Sequence, residues 1–282
     1  MYKRLVGCLV LFALCTSSVT LGEDAASISM VVMDPLAAPL SCPCVEGYAQ
    51  RDYEALASHL ESAVGCPVQV AFAESLLSAL EKTDGRADIV IGKQSVVAAD
   101  MLSTKLKAKP MFRLTDKSGS TEQYGMIVVG KDDPAKEVSD LEGYTIIFGP
   151  AEAEEKSGAA MALLQSAGIV IPKQLHKIDE ACSDGACKVI ELGPKSRTAA
   201  VISSYAQPLL EGCGTIKKGD LRVVAKTNPV PFVTLFVSDS LEPKRREMVT
   251  DSLSTVSESP EVLEALESLV GFLPVSETSK KK

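Results

Sequence analysis

Two groups of residues have types and spacing that could do chemistry. The first is Lys156-Ser157-Gly158, which opens a run of helix-forming residues from Ala159 to Leu164 and Ala167, stopped at Gly168. A helix start leaves backbone N–H groups unpaired and carries partial positive charge. Ser157 and Gly158 therefore offer one small anion a hydroxyl, close backbone approach and free donors. The alternative is that Ser157 only caps its helix. The second group is Cys42-Pro43-Cys44, in a Pro-rich loop. Three readings stand: two half-cystines bonded elsewhere, a strained local disulfide, or a thiolate site for a soft metal or metalloid.

The remaining candidates are weaker. Cys182 and Cys187 flank the turn-like Ser-Asp-Gly-Ala and most simply close a loop disulfide. C-x-C together with C-x4-C lacks the usual zinc spacing. Cys66 and Cys213 are left over: Cys66 ends a helix and reads either as simply buried or as bonded, and the six cysteines allow about 15 pairings among which the sequence does not choose. His59 and His176 are too isolated to suggest a metal site or a triad. Gly92-Lys93-Gln94-Ser95 looks like the end of a phosphate-binding loop but lacks the preceding glycine. Glu152, Glu154 and Glu155 read as a solvated loop face rather than acid/base carboxylates. No catalytic set emerges, so neither an enzyme nor a cofactor is expected.

Residues 1–22 have the form of a secretory signal: Lys3-Arg4, an apolar run from Leu5 to Cys15, then small residues before Glu23. Cleavage there would leave a soluble chain of charge about −10, since the intact chain carries −8 and the leader holds two cations and no carboxylate. That charge and a pI near 5.0 exclude a nucleic-acid surface. Aromatics make up only 5% of the chain and Trp is absent, so no stacking platform for sugars or bases is advertised. The 46% hydrophobic content is enough for a real core in one large domain or two medium ones.

The elements that must position these residues alternate. Strands are expected at Ile28–Met33, Val68–Ala71 and Ala87–Gly92, with helices at Tyr53–Val64, Ser75–Lys82 and Gln94–Met101. That order predicts parallel strands with right-handed crossovers. Gln123–Val129, Tyr144–Phe148, Lys188–Leu192, Arg197–Ser203, Leu221–Ala225 and Phe232–Val237 read as further strands. Residues 158–167, Pro243–Val256 and Pro260–Leu269 read as helices, and 276–282 as a polar tail. The organisation is two α/β halves joined by two crossings, near 124–129 and 223–237. Residues 23–123 plus 232–275 form the first lobe and 124–231 the second. Ligands of such sheets bind at the carboxyl ends of strands, here the cleft between lobes.

Four segments in this order resemble the phosphate/phosphite/phosphonate solute-binding family of ABC importers. They are YEALASHLESAVGCPVQVAFAES, ADIVIGKQSVVAAD, VSDLEGYTIIFGP…KSGAAMALLQSAGI and LRVVAKTNPVPFVTLFVSDSLEPKRREMVTDSL. The resemblance implies a periplasmic protein with a two-lobed type II periplasmic-binding-protein fold, each lobe a mostly parallel sheet flanked by helices. It further implies a small oxyanion ligand, an ABC permease as partner and a monomeric state. Carried to matching positions, the ligand contacts fall at Lys156, Ser157 and Gly158, at Gln94 and Ser95 after the third strand, and at Tyr48 or Tyr53 in the early loop. Where some relatives carry an acidic residue for a ligand amine, this chain has Ser203, Ser204 and Tyr205. Glu154-Glu155 depart from the family's run of hydroxyl residues and would repel a phosphonate. Relatives that sense arsenite use cysteine, which keeps Cys42 and Cys44 open as an alternative site.

Overall fold

The structure, a computed structural model, describes residues 27–41, 50–175, 178–179 and 181–275. Residues 1–26, with the expected signal, and Cys42, Cys44, Tyr48, His176 and the polar tail lie outside these residues.

The chain opens with β1 (Ile28–Met33), whose six side chains are all buried. A strand covered on both faces needs no polar side. Helix α1 (Tyr53–Val64) starts at Asp52, whose carboxylate accepts the Glu54 N–H, and stops at Gly65 in the left-handed region. Its buried stripe is Tyr53, Leu56, Ala57, Leu60 and Val64. Strand β2 (Val68–Phe72), helix α2 (Leu76–Lys82), strand β3 (Ile89–Lys93) and helix α3 (Gln94–Thr104) follow as the alternation predicts. Strand β4 (Ala108–Leu114) is not foreseen from the sequence, because Lys109, Pro110 and Arg113 break its apolar run.

A short β5 (Glu122–Gln123) leads into β6 (Gly125–Gly130), then β7 (Thr145–Ile147) and helix α4 (Gly158–Ser166). Helix α5 (Cys182–Leu192) replaces both the expected loop and the expected strand at Lys188–Leu192. Gly185, which reads as a turn residue, is a packing glycine: a Cβ there would lie 3.2 Å from the Ala200 Cβ. The absence of that Cβ lets α5 lie against β8 (Thr198–Ser203). Then come α6 (Ala206–Gly212), β9 (Leu221–Lys226), β10 (Val230–Pro231), β11 (Val233–Ser238), α7 (Pro243–Ser254), α8 (Pro260–Ala265) and β12 (Phe272–Pro274).

The strands form a six-stranded sheet, ordered β12-β4-β11-β3-β1-β2, and a four-stranded one, ordered β7-β8-β6-β9. Strands β2, β1 and β3 are parallel, and the returning β11 runs against them. In the small sheet β7 and β8 are parallel and β6 runs against β8. The two crossings pair with each other as a small antiparallel ribbon of β5 and β10.

Alternation of side chains splits each sheet's core in two. Ile28, Met30 and Val32 face α1, α7 and α8, while Val31 and Met33 face α2 and α3. In the small sheet Met126 and Val128 pack with α5 and α6, and Ile127 and Val129 with α4. Tyr205, just after β8, packs on a cluster of each sheet. At the start of β6, Gly125 lies under the turn that precedes α4. A Cβ there would sit 2.0 Å from the Glu155 carbonyl oxygen. Gly125→Ala is therefore expected to displace that turn and cost about 1–3 kcal/mol, read as a lowered urea midpoint.

Candidate functional site

Carboxyl ends of strands from both sheets converge on one buried polar cluster. Lys93 ends β3, and Ser203 ends β8. Glu155 belongs to a single turn of 3-10 helix, Glu154–Lys156, that precedes α4. The Lys93 ammonium donates to Glu155 Oε1 at 2.6 Å, across 62 residues of sequence, and contacts Ser203 Oγ at 3.4 Å. Ser203 Oγ donates to the same carboxylate oxygen at 2.7 Å. Glu155 is fully buried and the Lys93 side chain is 10% exposed. The Cys182 thiol lies 3.5 Å from Ser203 Oγ and accepts the Ser203 N–H.

Aromatic faces extend the cluster. The Lys93 ammonium sits 5.2 Å from the centre of the Tyr205 ring. Tyr205 stacks on Phe232 with centroids 5.2 Å apart, and the Arg51 guanidinium lies over Phe232 at 5.4 Å. Arg51 is itself paired with Asp34, the residue after β1, at 2.8 Å. The Tyr53 hydroxyl donates to the same Asp34 oxygen at 2.5 Å. Three charged residues of the first part of the chain, Asp34, Arg51 and Lys93, are thus buried on the side where the two sheets meet.

The electrostatics follow from burial set against partners. Burial pushes the Glu155 carboxyl up, but the Lys93 ammonium and the hydrogen bonds from Lys93 and Ser203 outweigh it and hold the group below its usual range. Burial likewise works against the charge of Lys93. The negative groups Tyr205, Glu155 and Cys182 more than offset it, so the ammonium stays above the usual lysine range. Of these, Tyr205 and Cys182 act only in their ionised forms, which leaves the Glu155 carboxylate as the partner that matters at neutral pH. Burial pushes the Tyr205 phenol up to about 12.

The expected site residues meet this cluster unevenly. Ser157 is buried and makes no capping bond to α4, so the simple cap reading fails. Gly158 is exposed, with open space where a Cβ would stand. Lys156 is buried, its aliphatic stem over Gly149. Ser95 links the two sheets' segments: its hydroxyl donates to the Glu152 carbonyl at 2.6 Å and accepts the Glu154 N–H at 3.3 Å. Gln94 is held within the large sheet, its Oε1 accepting from Arg113 at 3.4 Å and Thr234 at 3.2 Å. Ser204 is bound to Tyr124 by backbone and side-chain hydrogen bonds, away from Lys93. Tyr205 is in the cluster. Tyr53 is fully buried behind Asp34, so of the two early tyrosines it supports the site from beneath rather than lining it. His59 fills the space between α1 and α7, 3.3 Å from the Ser252 carbonyl.

The disulfide between Cys182 and Cys187 is corrected. Both thiols are free, as is Cys66. Cys182 and Cys187 lie five residues apart on one helix. Five steps advance about 7.5 Å along the axis, beyond the usual Cα separation of a disulfide, about 4.4–6.8 Å. Among the described residues, no group of three or more His, Cys, Asp or Glu is placed to hold a metal. The Cys42/Cys44 alternative and Tyr48 fall outside those residues.

Asp34, Arg51, Lys93, Glu155, Ser203 and Phe232 were not foreseen as a cluster. The available signal was a charge immediately after an all-apolar strand, as in Val-Met33-Asp34 and Ile-Gly92-Lys93. A charged residue that ends a strand buried on both faces needs a partner, and the strand ends are where ligands bind.

The two sheets and the paired β5–β10 ribbon form the two-lobed α/β fold of the type II periplasmic class. A family model described as "ABC transporter, phosphonate, periplasmic substrate-binding protein" matches residues 47–281, and the chain belongs to that family. Among solved structures, a Xanthomonas citri protein bound to chloride ion aligns with TM-score 0.65 at 18% identity, covering 90% of this chain and 93% of that one. A binding protein component of an ABC phosphonate transporter from Pseudomonas aeruginosa gives TM-score 0.64 at 14% identity, covering 88% and 81%. PhnD1 from Prochlorococcus marinus, solved with methylphosphonate, gives 0.60 at 11%, covering 88% and 92%. At these identities the structures establish the fold. Comparison with curated protein sequences gives no match.

Two outcomes test the cluster's energetics. Lys93→Ala leaves a buried carboxylate unpaired and should cost about 3–5 kcal/mol, while Lys93→Met with Glu155→Leu should recover most of that loss, both read by urea unfolding. Because the folded-state pKa of Glu155 is lowered, its ionisation stabilises the protein fully above the ordinary carboxylate value of about 4.3. That contribution disappears as pH falls through the lowered folded value. An acid series should therefore show wild type losing its advantage over Glu155→Gln below about pH 4.

Proposed function

We propose that the chain is an exported solute-binding protein that captures a small oxyanion of the phosphate/phosphonate class between its lobes and delivers it to an ABC permease. The lobes are residues 23–123 plus 232–275, and residues 124–231, with the β5–β10 ribbon as hinge. The observation that carries this reading is the buried Lys93 at the carboxyl end of β3, with the open N-terminus of α4 beginning three residues after its partner Glu155. A cation and a helix start on opposite lobes are the two kinds of group that bind an oxyanion. Family membership supports the transport role.

On this reading, Lys93, Ser203 and Tyr205 contact the ligand from around the strand ends, and Ser157 and Gly158 contact it from the helix. Ser95 ties the closing segment. In the structure Lys93 is paired with Glu155; on this reading the ligand's anion replaces that carboxylate, so loading requires the lobes to part and Lys93 to exchange partners. Closure is then a shift of population toward the state in which both lobes touch the solute.

A thermal-shift series with inorganic phosphate, phosphite, methylphosphonate and arsenite tests the class. A ligand at about 100 times its Kd stabilises the folded state by about 2.7 kcal/mol, which should raise the midpoint by on the order of 5 °C or more. At least one of the phosphorus oxyanions should do so, and Ser157→Ala should weaken it about tenfold or more. A midpoint moved by arsenite alone would contradict the oxyanion site and favour thiolates.

A further inference from the structure

We propose that Gln123 is a counterweight to closure: its buried, unpartnered amide disfavours the closed lobes and keeps the cleft exchanging. That role rests on the reading of the β5–β10 ribbon as the hinge and does not depend on which solute binds. Gln123 ends β5 and is 2% exposed. Its Oε1 is buried and has no hydrogen-bond partner. A buried side-chain oxygen left without a donor is costly, and such atoms are few in folded proteins.

The ribbon holds only two residue pairs, Gln123 with Val230 and Glu122 with Pro231. Two strands this short cannot cover their own side chains, so the cover comes from the lobes on either side. Toward the small sheet, Gly125 pairs with Ser203. Toward the large sheet, Val233 pairs with Lys93, and the Gln94 N–H donates to the Phe232 carbonyl. Gly125 faces the turn before α4, since the Cβ it lacks would strike the Glu155 carbonyl. Side chains alternate along an extended chain, so Gln123, two residues earlier, stands on the same face. The lobes close over that face, where the Ser95 hydroxyl is bonded to the backbone of Glu152 and Glu154.

Neighbouring donors are committed elsewhere. The Thr227 hydroxyl donates to the Asn228 carbonyl, the Thr227 N–H to the Gly125 carbonyl and the Phe232 N–H to the Thr121 carbonyl. When the lobes part about the ribbon, water reaches this face and satisfies Oε1. The amide thus opposes the Lys93–Glu155 pair and the Tyr205–Phe232 stack, which hold the lobes together. Capture and release both pass through the open form, so both are faster than with an apolar side chain at this position.

Hydrogen exchange of the ligand-free protein, followed by mass spectrometry, reads lobe parting at the turn Glu154–Lys156, and urea unfolding reads global stability. Gln123→Met keeps the length of the side chain without the amide. It should unfold at a higher urea concentration, and the turn should exchange about tenfold more slowly. Gln123→Glu places a carboxylate there that needs water more than the amide does, and at pH 7 the turn should exchange at least about tenfold faster.

A higher urea midpoint for Gln123→Met with an unchanged turn would overturn the proposal, because the amide would then stay buried when the lobes part. A Gln123→Met protein that does not fold, or is less stable than wild type, would overturn it too, because the amide would then be supporting the fold. So would an unchanged turn in Gln123→Glu. A wild-type turn that exchanges no faster than the amides of β1 is a different result: the lobes then part only by global unfolding, and the hinge reading fails together with this one.

Discussion

A lysine and a glutamate taken out of water and joined across two sheets set the terms for the rest of this structure. Each charge alone would be strongly disfavoured where it sits, and together they are tolerated only because the geometry is close and Ser203 adds a hydrogen bond. Such a pair contributes little net stability compared with apolar residues of the same size. Its effect is specificity of arrangement: the turn before α4 must lie against the end of β3, or two buried charges are left unpaired. The surroundings are built to allow that approach. Gly125 removes the side chain that would strike the Glu155 carbonyl, and Ser95 ties the same turn from the other sheet.

The pair is flanked by a second device. Asp34, Arg51 and Tyr53 form a buried network at the end of β1, and its guanidinium covers Phe232, which stacks on Tyr205 beside Lys93. Tyr205 comes from the small sheet and Phe232 from the returning strand of the large one. The contact therefore reports whether the two sheets are together. In a binding protein that closes on a solute, these are the contacts that would break on opening, and one cation would become available as they do.

Much of the fold was legible in the sequence because the strands are short apolar runs and helices α1, α2 and α7 carry capping residues. Ile28–Met33 and Tyr53–Val64 fall where the pattern puts them. Misreadings came where a residue's local habit differs from its tertiary use. Gly185 and the flanking cysteines suggested a bridged loop, yet the glycine serves close packing of α5 on β8. Pro110 and two cations hid β4, where Pro110 pairs with Phe236 at a register shift against β11. Ser157 and Gly158 were named from the helix start and Tyr205 from the resemblance; Tyr205 lies in the polar cluster, and Ser157 and Gly158 stand at the start of α4. Lys93 and Glu155 were not paired, because each acquires its meaning from a partner 62 residues away. Glu155 was read as a solvated loop carboxylate that would only repel an anion, and the structure buries it at the centre of the cluster.

The central claim is that the solute occupies the ground between Lys93 and the start of α4. A crystal structure of the protein grown with methylphosphonate tests it most directly. The account predicts the phosphonate oxygens within hydrogen-bond distance of Lys93 Nζ and of the Ser157–Gly158 backbone, with the Glu155 carboxylate moved off Lys93. A phosphonate bound elsewhere, with the Lys93–Glu155 pair intact at its present distance, would contradict it.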